Sequence, residues 1–222
     1  MLDVIKKAVK EGRKTLSEYE SRRVIESAGV FVAAAALTRT REEAIREAEK
    51  MGYPVALKGC SAELSHKTEA GMVALNVMDA EEVARVFDEL TGKAKNLDGI
   101  LVEKMVRGNR EFVIGLTRDS SFGPCVMFGL GGVFTEALKD VTFRVAPLTK
   151  EDALEMIDEI KTKKLLGEFR GSPAVDREAL ARALVGIGDL GVKHDAIAEI
   201  DINPLIICGD KPVAVDALVV LK

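Results

Sequence analysis

A mixed α and β chain of two lobes is what the sequence predicts, on three observations. Helix-start signals recur along it, each followed by apolar residues at helical spacing. Short runs rich in β-branched residues lie between them, and one bend near Arg107–Asn109 divides the 222 residues into two parts. At roughly 100–200 residues per domain, that length fits one large domain or two small ones.

The elements follow in order. Leu16, Tyr19, Val24, Ile25 and Ala28 mark a first helix ending at Gly29. Thr40 and Glu43 form a capping-box pattern, and Ala44, Ile45, Ala48 and Met51 share one face until Gly52 and Pro54 stop the run. The β-rich runs PVALK (Pro54–Lys58) and VALNV (Val73–Val77) come next. Asp79 with Glu82 opens a helix whose Val83, Val86, Phe87 and Leu90 form an apolar stripe. GILVEK (Gly99–Lys104) and EFVIGLT (Glu111–Thr117) read as a strand, a bend and a returning strand, followed by PCVMF (Pro124–Phe128). Thr149 and Asp152 repeat the capping device ahead of Ala153, Met156, Ile157 and Ile160, and a last helix runs from about Asp176 through Leu180, Ala183, Leu184 and Ile187. Two strands, AEIDINPLII (Ala198–Ile207) and VAVDALVVL (Val213–Leu221), frame a turn at Gly209–Asp210.

Composition removes several classes of function. Hydrophobic residues make up 47% and charged residues 31%, which is enough apolar mass to build a core and excludes disorder as the main state. Aromatics are 5% and Trp is absent, so a stacking surface for single-stranded nucleic acid is not expected. A net charge of −4 leaves no basic field to attract a polyanion, and any phosphate must be held by a local site. Cys60, Cys125 and Cys208 are far apart and flanked by apolar residues, the pattern of reduced core thiols. The opening MLDVIKKAVKEGRK lacks the apolar stretch of a signal peptide, and no apolar run nears the ~18 residues of a membrane span, so a cytoplasmic protein is expected.

Four features could carry chemistry. The Gly129–Gly132 run, GLGG, follows an apolar strand and reads equally as a tight turn or as a loop whose N–H groups approach phosphate; neither GxxxxGK[ST] nor GxGxxG is present. Lys58 ends a strand, and its ammonium either reaches solvent or offers a point charge to a phosphate. Glu199, Asp201 and Asn203 share one strand parity and, with Asp216 nearby, present oxygen ligands that suit Mg²⁺ held jointly with nucleotide phosphates. His66, beside Lys67 in a polar stretch between two strands, is either a surface residue or a nucleophile able to accept a phosphoryl group.

The ordered blocks LSEYESRRVIESAGV, YPVALKGCSAELSHKTEAGMV, LVEKMVRGNREFVIGLTRDSSFGPCVMFGLGGVFTE, KDVTFRVAPL, LLGEFRGSPAVD and EIDINPL cover nearly the whole chain. Together they resemble the nucleotide-binding β subunits of the ADP-forming acyl-CoA synthetases, a branch of the ATP-grasp proteins related to succinyl-CoA synthetase. The resemblance implies one ATP-grasp domain over residues 1–222, an α+β fold with an N-terminal lobe of about 16–105, a C-terminal lobe of about 106–222 and the nucleotide cleft between them.

It also implies roles. Lys58 matches the lysine on the nucleotide phosphates. Ser65 and Lys67 belong to the phosphate-contacting loop, in which His66 matches a second phosphohistidine, with Gly59 and Gly71 as its hinges. Glu103, Met105 and Val106 match the segment that hydrogen-bonds adenine, and Glu111 a second acid of the site. Gly129, Gly131 and Gly132 match a phosphate-binding loop, Asn203 and Asp216 the Mg²⁺ ligands, with Asp201 and Glu199 as weaker candidates and Arg144 as an additional cation. One local departure is Gly71-Met72-Val73, where many relatives have Gly-Gly-Val.

The implied reaction is acyl-CoA + ADP + phosphate ⇌ acid + CoA + ATP, with a phosphoryl group passing by way of His66. It requires Mg²⁺, ATP or ADP, and a CoA-binding α subunit carrying the first phosphohistidine, in an α2β2 assembly. The rival readings are a regulatory ATP-grasp-like piece of a protein lysine acetyltransferase and a non-catalytic nucleotide-sensing subunit.

Overall fold

The computed structural model describes residues 2–64, 70–132, 139–168 and 171–222. They form two compact units. The larger holds Met1–Leu16, Glu20–Val32 and Val106–Lys222, and the smaller Ser17–Tyr19 and Ala33–Met105. Residues 20–32 therefore count with the later part of the chain, not with the N-terminal lobe to which sequence order assigns them. The reason is pairing, since Phe31 and Val32 run parallel to Val213 and Ala214.

The smaller unit has a four-stranded antiparallel sheet in the order β2-β5-β3-β4. Its strands are β2 (Ala35–Thr38), β3 (Val55–Cys60), β4 (Val73–Val77) and β5 (Gly99–Lys104), and its helices are α3 (Arg41–Met51) and α4 (Ala80–Lys93). Both helices begin where the caps predict. Thr40 Oγ1 accepts from the Glu43 amide at 3.2 Å, and Asp79 Oδ1 from the Glu82 amide at 2.8 Å, each meeting one of the unpaired first-turn donors. Ala44, Ala48, Val83, Val86, Phe87 and Leu90 pack with Val55, Leu57, Ile100 and Val102 as the core of this unit.

The larger unit is built on a seven-stranded sheet in the order β1-β10-β9-β6-β7-β8, with β11 also paired to β9. These strands are β1 (Phe31–Val32), β6 (Glu111–Asp119), β7 (Gly123–Leu130), β8 (Val141–Val145), β9 (Ile197–Cys208), β10 (Lys211–Ala214) and β11 (Leu218–Leu221). The single strand expected over Val213–Leu221 is thus two. Asp216 Oδ1 accepts from the Ala217 amide at 2.8 Å in the corner between them, and β10 pairs with the second half of β9 while β11 pairs with the first.

Helices α1 (Leu2–Lys10), α2 (Glu18–Glu26), α5 (Lys150–Glu159) and α6 (Arg177–Lys193) accompany this sheet. Thr149 and Asp152 close a full capping box at α5. Apolar residues of α1, α5, α6 and the end of α2 join Phe112, Ile114, Leu116, Val126, Phe128, Ile200 and Ile202 in one continuous core. Helix α6 passes close to the sheet and to α2, because a Cβ at Gly186 would collide with the Ala28 carbonyl.

Among the described residues no helix is long and apolar enough to cross a membrane. All three cysteines are free, yet only Cys60 is buried; Cys208 is exposed at the end of β9, so the core-thiol reading does not extend to it.

Candidate functional site

In the smaller unit, strand register decides where the chemistry lies. Ala56 stands opposite Glu103 and Lys58 opposite Leu101, so Lys58 and Glu103 share one face of the sheet. The other face feeds Leu57, Ile100 and Val102 into the core with α3 and α4. Lys58 Nζ donates to Glu103 Oε2 at 3.3 Å and to Glu18 Oε1 at 3.0 Å. All three side chains are nearly inaccessible, at 6%, 4% and 2% exposure. Burying ions is costly unless partners replace water, and here carboxylates from two separate chain segments do so.

One expectation changes here, at Gly59. The Glu103 carboxylate faces Lys58 and accepts from it, and the Met105 amide donates to the Pro54 carbonyl at 3.4 Å. Gly59 is not a hinge. It lies within β3, its amide donates to the Met72 carbonyl at 2.8 Å, and the Met72 side chain packs over it. Gly71 does adopt a left-handed φ of 64°. Ser65, His66 and Lys67 lie outside the described residues.

Glu18 was not singled out by sequence. At the start of a helix an acid is ordinary, because it complements the helix dipole. Only the fold shows that polar residues here are buried, Ser17, Glu18, Ser21 and Arg22 among them.

In the larger unit, the sheet face opposite the helix-packed one carries the acidic residues. Ile200 and Ile202 are buried, while Glu199 and Asn203 are exposed and Asp201 is half-buried between them. Asp201 stands opposite Gly115, and Gly115 opposite Met127. Partial burial, with Glu199 and Asp216 adding their negative charge, pushes the Asp201 carboxyl up to about 6. A carboxylate that burial and like charge both disfavour is one that a cation would stabilise.

Divalent cation chemistry fits these hard oxygen donors. Among the described residues no group of three or more His, Cys, Asp or Glu side chains is arranged to hold a metal ion. The fit is therefore to a cation whose remaining ligands come from phosphate or water.

The glycine run resolves residue by residue. Gly129 lies in β7 under Val141, where a Cβ would meet the Val141 Cγ1 at 2.6 Å. The Gly131 amide donates to the Glu111 carbonyl at 2.8 Å, so it is not available to a phosphate as expected. Gly132 adopts φ 72°, and a Cβ there would come within 2.7 Å of Glu111 Oε2. The loop is thus shaped by strand packing at Gly129 and Gly131, whereas Gly132 makes room for the Glu111 carboxylate. Arg144 lies on β8 and forms an ion pair with Glu159 of α5, Glu155 standing 3.9 Å away. Val106 is half-buried, at the start of the larger unit's long segment.

The model of the family described as ATP-grasp domain matches residues 7–221. The acetate–CoA ligase (ADP-forming) I subunit beta of Pyrococcus furiosus is 43% identical over 225 residues, covering 99% of this chain and 97% of that protein. A structure of Ca. Korarchaeum cryptofilum acetyl-coenzyme A synthetase 1 with coenzyme A and Ca-AMPCP superposes with a TM-score of 0.93 at 42% identity, covering 99% of both chains. A further structure of that synthetase holds coenzyme A and Mg-AMPPCP, its phosphohistidine segment pointing towards the nucleotide binding site; the TM-score is 0.87 at 43% identity, again covering 99% of both chains.

Proposed function

The chain belongs to the ATP-grasp domain family, and on that premise we propose that it is the nucleotide-binding subunit of an ADP-forming acyl-CoA synthetase, an acid–thiol ligase built from two kinds of subunit. The observation that carries this reading is similarity along the full length of a stand-alone ligase β subunit. It favours the ligase over a regulatory segment of an acetyltransferase and over a non-catalytic sensor.

In the reaction acyl-CoA + ADP + phosphate ⇌ acid + CoA + ATP, the partner subunit forms an acyl phosphate, and its histidine takes the phosphoryl group as the acid leaves. An oxygen of the ADP β-phosphate then attacks phosphorus while the P–N bond breaks. Phosphoryl transfer depends mainly on positioning and charge neutralisation. Lys58 supplies a cation held rigidly by two carboxylates. Asn203 and Asp216, with Asp201 and Glu199 beside them, would hold Mg²⁺, which when bound offsets phosphate charge. Glu111, for whose carboxylate Gly132 makes room, is a further acid of the larger unit. The partner is a CoA-binding α subunit, and we assign the complex as α2β2.

His66 is the proposed second carrier between the partner's histidine and ADP. A second reading is favoured by the Korarchaeum structure in which the phosphohistidine segment points towards the nucleotide binding site. There the partner's segment would deliver the phosphoryl group directly.

The test uses the chain reconstituted with its CoA-binding partner, acyl-CoA, phosphate, ADP and Mg²⁺. ATP formation is expected, and its absence from a properly assembled complex overturns the ligase reading. His66→Ala separates the two routes, since loss of ATP formation supports the relay and full retention supports direct delivery.

A further inference from the structure

We propose that Glu18 is a positioning residue for Lys58, fixing the ammonium where it meets the nucleotide phosphates; this rests on the reading of Lys58 given above.

The geometry is specific. Lys58 extends from β3 on the face opposite α3 and α4, and its ammonium is held by two carboxylates. Glu103 reaches it from the adjacent strand β5, and Glu18 from a segment forty positions earlier in the chain. A lysine has four rotatable side-chain bonds, so one strand-borne carboxylate restrains its charge in one direction only. A second carboxylate from another segment removes the remaining freedom. The Glu18–Lys58 contact is the shorter of the two, at 3.0 against 3.3 Å.

A purely structural role is a poor explanation. Apolar side chains of similar size fill a buried space at least as favourably as an ion pair does. The charges also sit beside Ala56, Cys60 and Leu101, all essentially inaccessible, in surroundings where an ionic group brings no packing advantage. An ammonium aimed at a developing phosphoryl charge does need such restraint, because misplacement by about 1 Å can cost roughly a hundredfold in rate.

The experiment compares Glu18→Gln, Glu18→Asp, Lys58→Arg and Lys58→Met in the reconstituted two-subunit complex, measuring kcat, KM for ADP and Tm for each. Gln keeps the length and an acceptor oxygen but removes the charge; Asp keeps the charge but shortens the reach. The expected result is a kcat lower by roughly ten- to hundredfold in Glu18→Gln and by less in Glu18→Asp, with KM for ADP within about threefold of the parent. The order of kcat should not follow the order of Tm.

If Glu18→Gln does not fold, Glu18→Asp alone decides, and a kcat within about twofold of the parent overturns the proposal. A kcat reduced only in proportion to the folded fraction also overturns it. Lys58→Arg keeps the ion pairs but moves the charge. If full activity is kept even by Lys58→Met, which removes the cation, the underlying reading of Lys58 fails; if Lys58→Met loses activity while both Glu18 variants keep theirs, only the role of Glu18 fails.

Discussion

Glu18 Oε1 accepts a hydrogen bond from Lys58 Nζ at 3.0 Å, linking the first residue of a polar helix to the middle of a buried strand. Glu103 completes the arrangement at 3.3 Å. Replacing Lys58 with Met takes away the cation that these two buried carboxylates share, and breaking a buried pair in this way typically costs about 3–5 kcal/mol. Lys58→Met is expected to lower the denaturant midpoint correspondingly, whereas Lys58→Arg lowers it by much less. Equal midpoints for the two variants would contradict the pairing.

Asp201 should make the ligand-free protein less stable as pH rises. Its carboxyl titrates near 6 in the folded state because burial, then Glu199 and Asp216, disfavour the anion. In the unfolded chain it titrates near ~3.9. Between those values the folded state holds the extra proton, so the benefit is full below the unfolded value and is lost as pH rises through the folded one. Asp201→Asn is therefore expected to add roughly 2 kcal/mol at pH 7.5 relative to its effect at pH 4. A substitution effect that does not change with pH in urea unfolding would refute this.

Asp140 has the opposite sign. Burial would raise its carboxyl, but hydrogen bonds outweigh burial and hold it below the usual range. The donors are Thr162 Oγ1 at 2.5 Å, the Lys161 amide at 2.7 Å and the Thr162 amide at 2.8 Å. These bonds tie the turn after α5 to the start of β8. Asp140→Ala leaves two backbone donors without this acceptor and should cost about 2–3 kcal/mol. The stabilisation is present above the unfolded value near ~3.9 and disappears as pH falls through the depressed folded one, so parent and variant converge in acid. Thermal scans from pH 7 down to pH 2.5 read this directly.

Gly186→Ala sets two effects against each other. Helix propensity favours Ala by about 1 kcal/mol. Against it, the new methyl would collide with the backbone carbonyl of Ala28, which cannot rotate away as a side chain could. Overpacking typically costs about 1–3 kcal/mol, and a backbone contact lies at the upper end. Net destabilisation of about 2 kcal/mol is expected; a stabilised variant would mean that α6 and the end of α2 are farther apart than described.

Chemistry that is local in sequence was legible, and chemistry that depends on pairing was not. Thr40, Asp79, Thr149 and Asp176 each marked the start of a helix, since a cap needs only the next three residues. Helix α1 went unread, being short and without a strong cap. Strands β1 and β2 carry no legible period because they are only two and four residues long. The parity of Glu199, Asp201 and Asn203 could be read because alternation is a property of a single strand. That Lys58 meets Glu103 could not, since register fixes it, and Glu18 gave no sign because its partner lies forty positions away. Arg144 likewise gave no sign of the Glu159 that α5 brings to it.

The pairing of β6 with β9 joins Glu111–Thr117 to Glu199–Ile206, and β1 waits for Val213 and Ala214. The larger sheet therefore cannot close during synthesis until Val213 and Ala214 have left the ribosome. The stretch Ala33–Met105, whose strands, among the described residues, pair with one another, has no such wait. Non-local pairing slows assembly, and pulse-labelled hydrogen exchange should find Val55–Cys60 and Gly99–Lys104 protected before Glu111–Asp119. For a cell making this chain, β1 is the strand left without its sheet partner longest, because Val213 and Ala214 are made about 180 residues later.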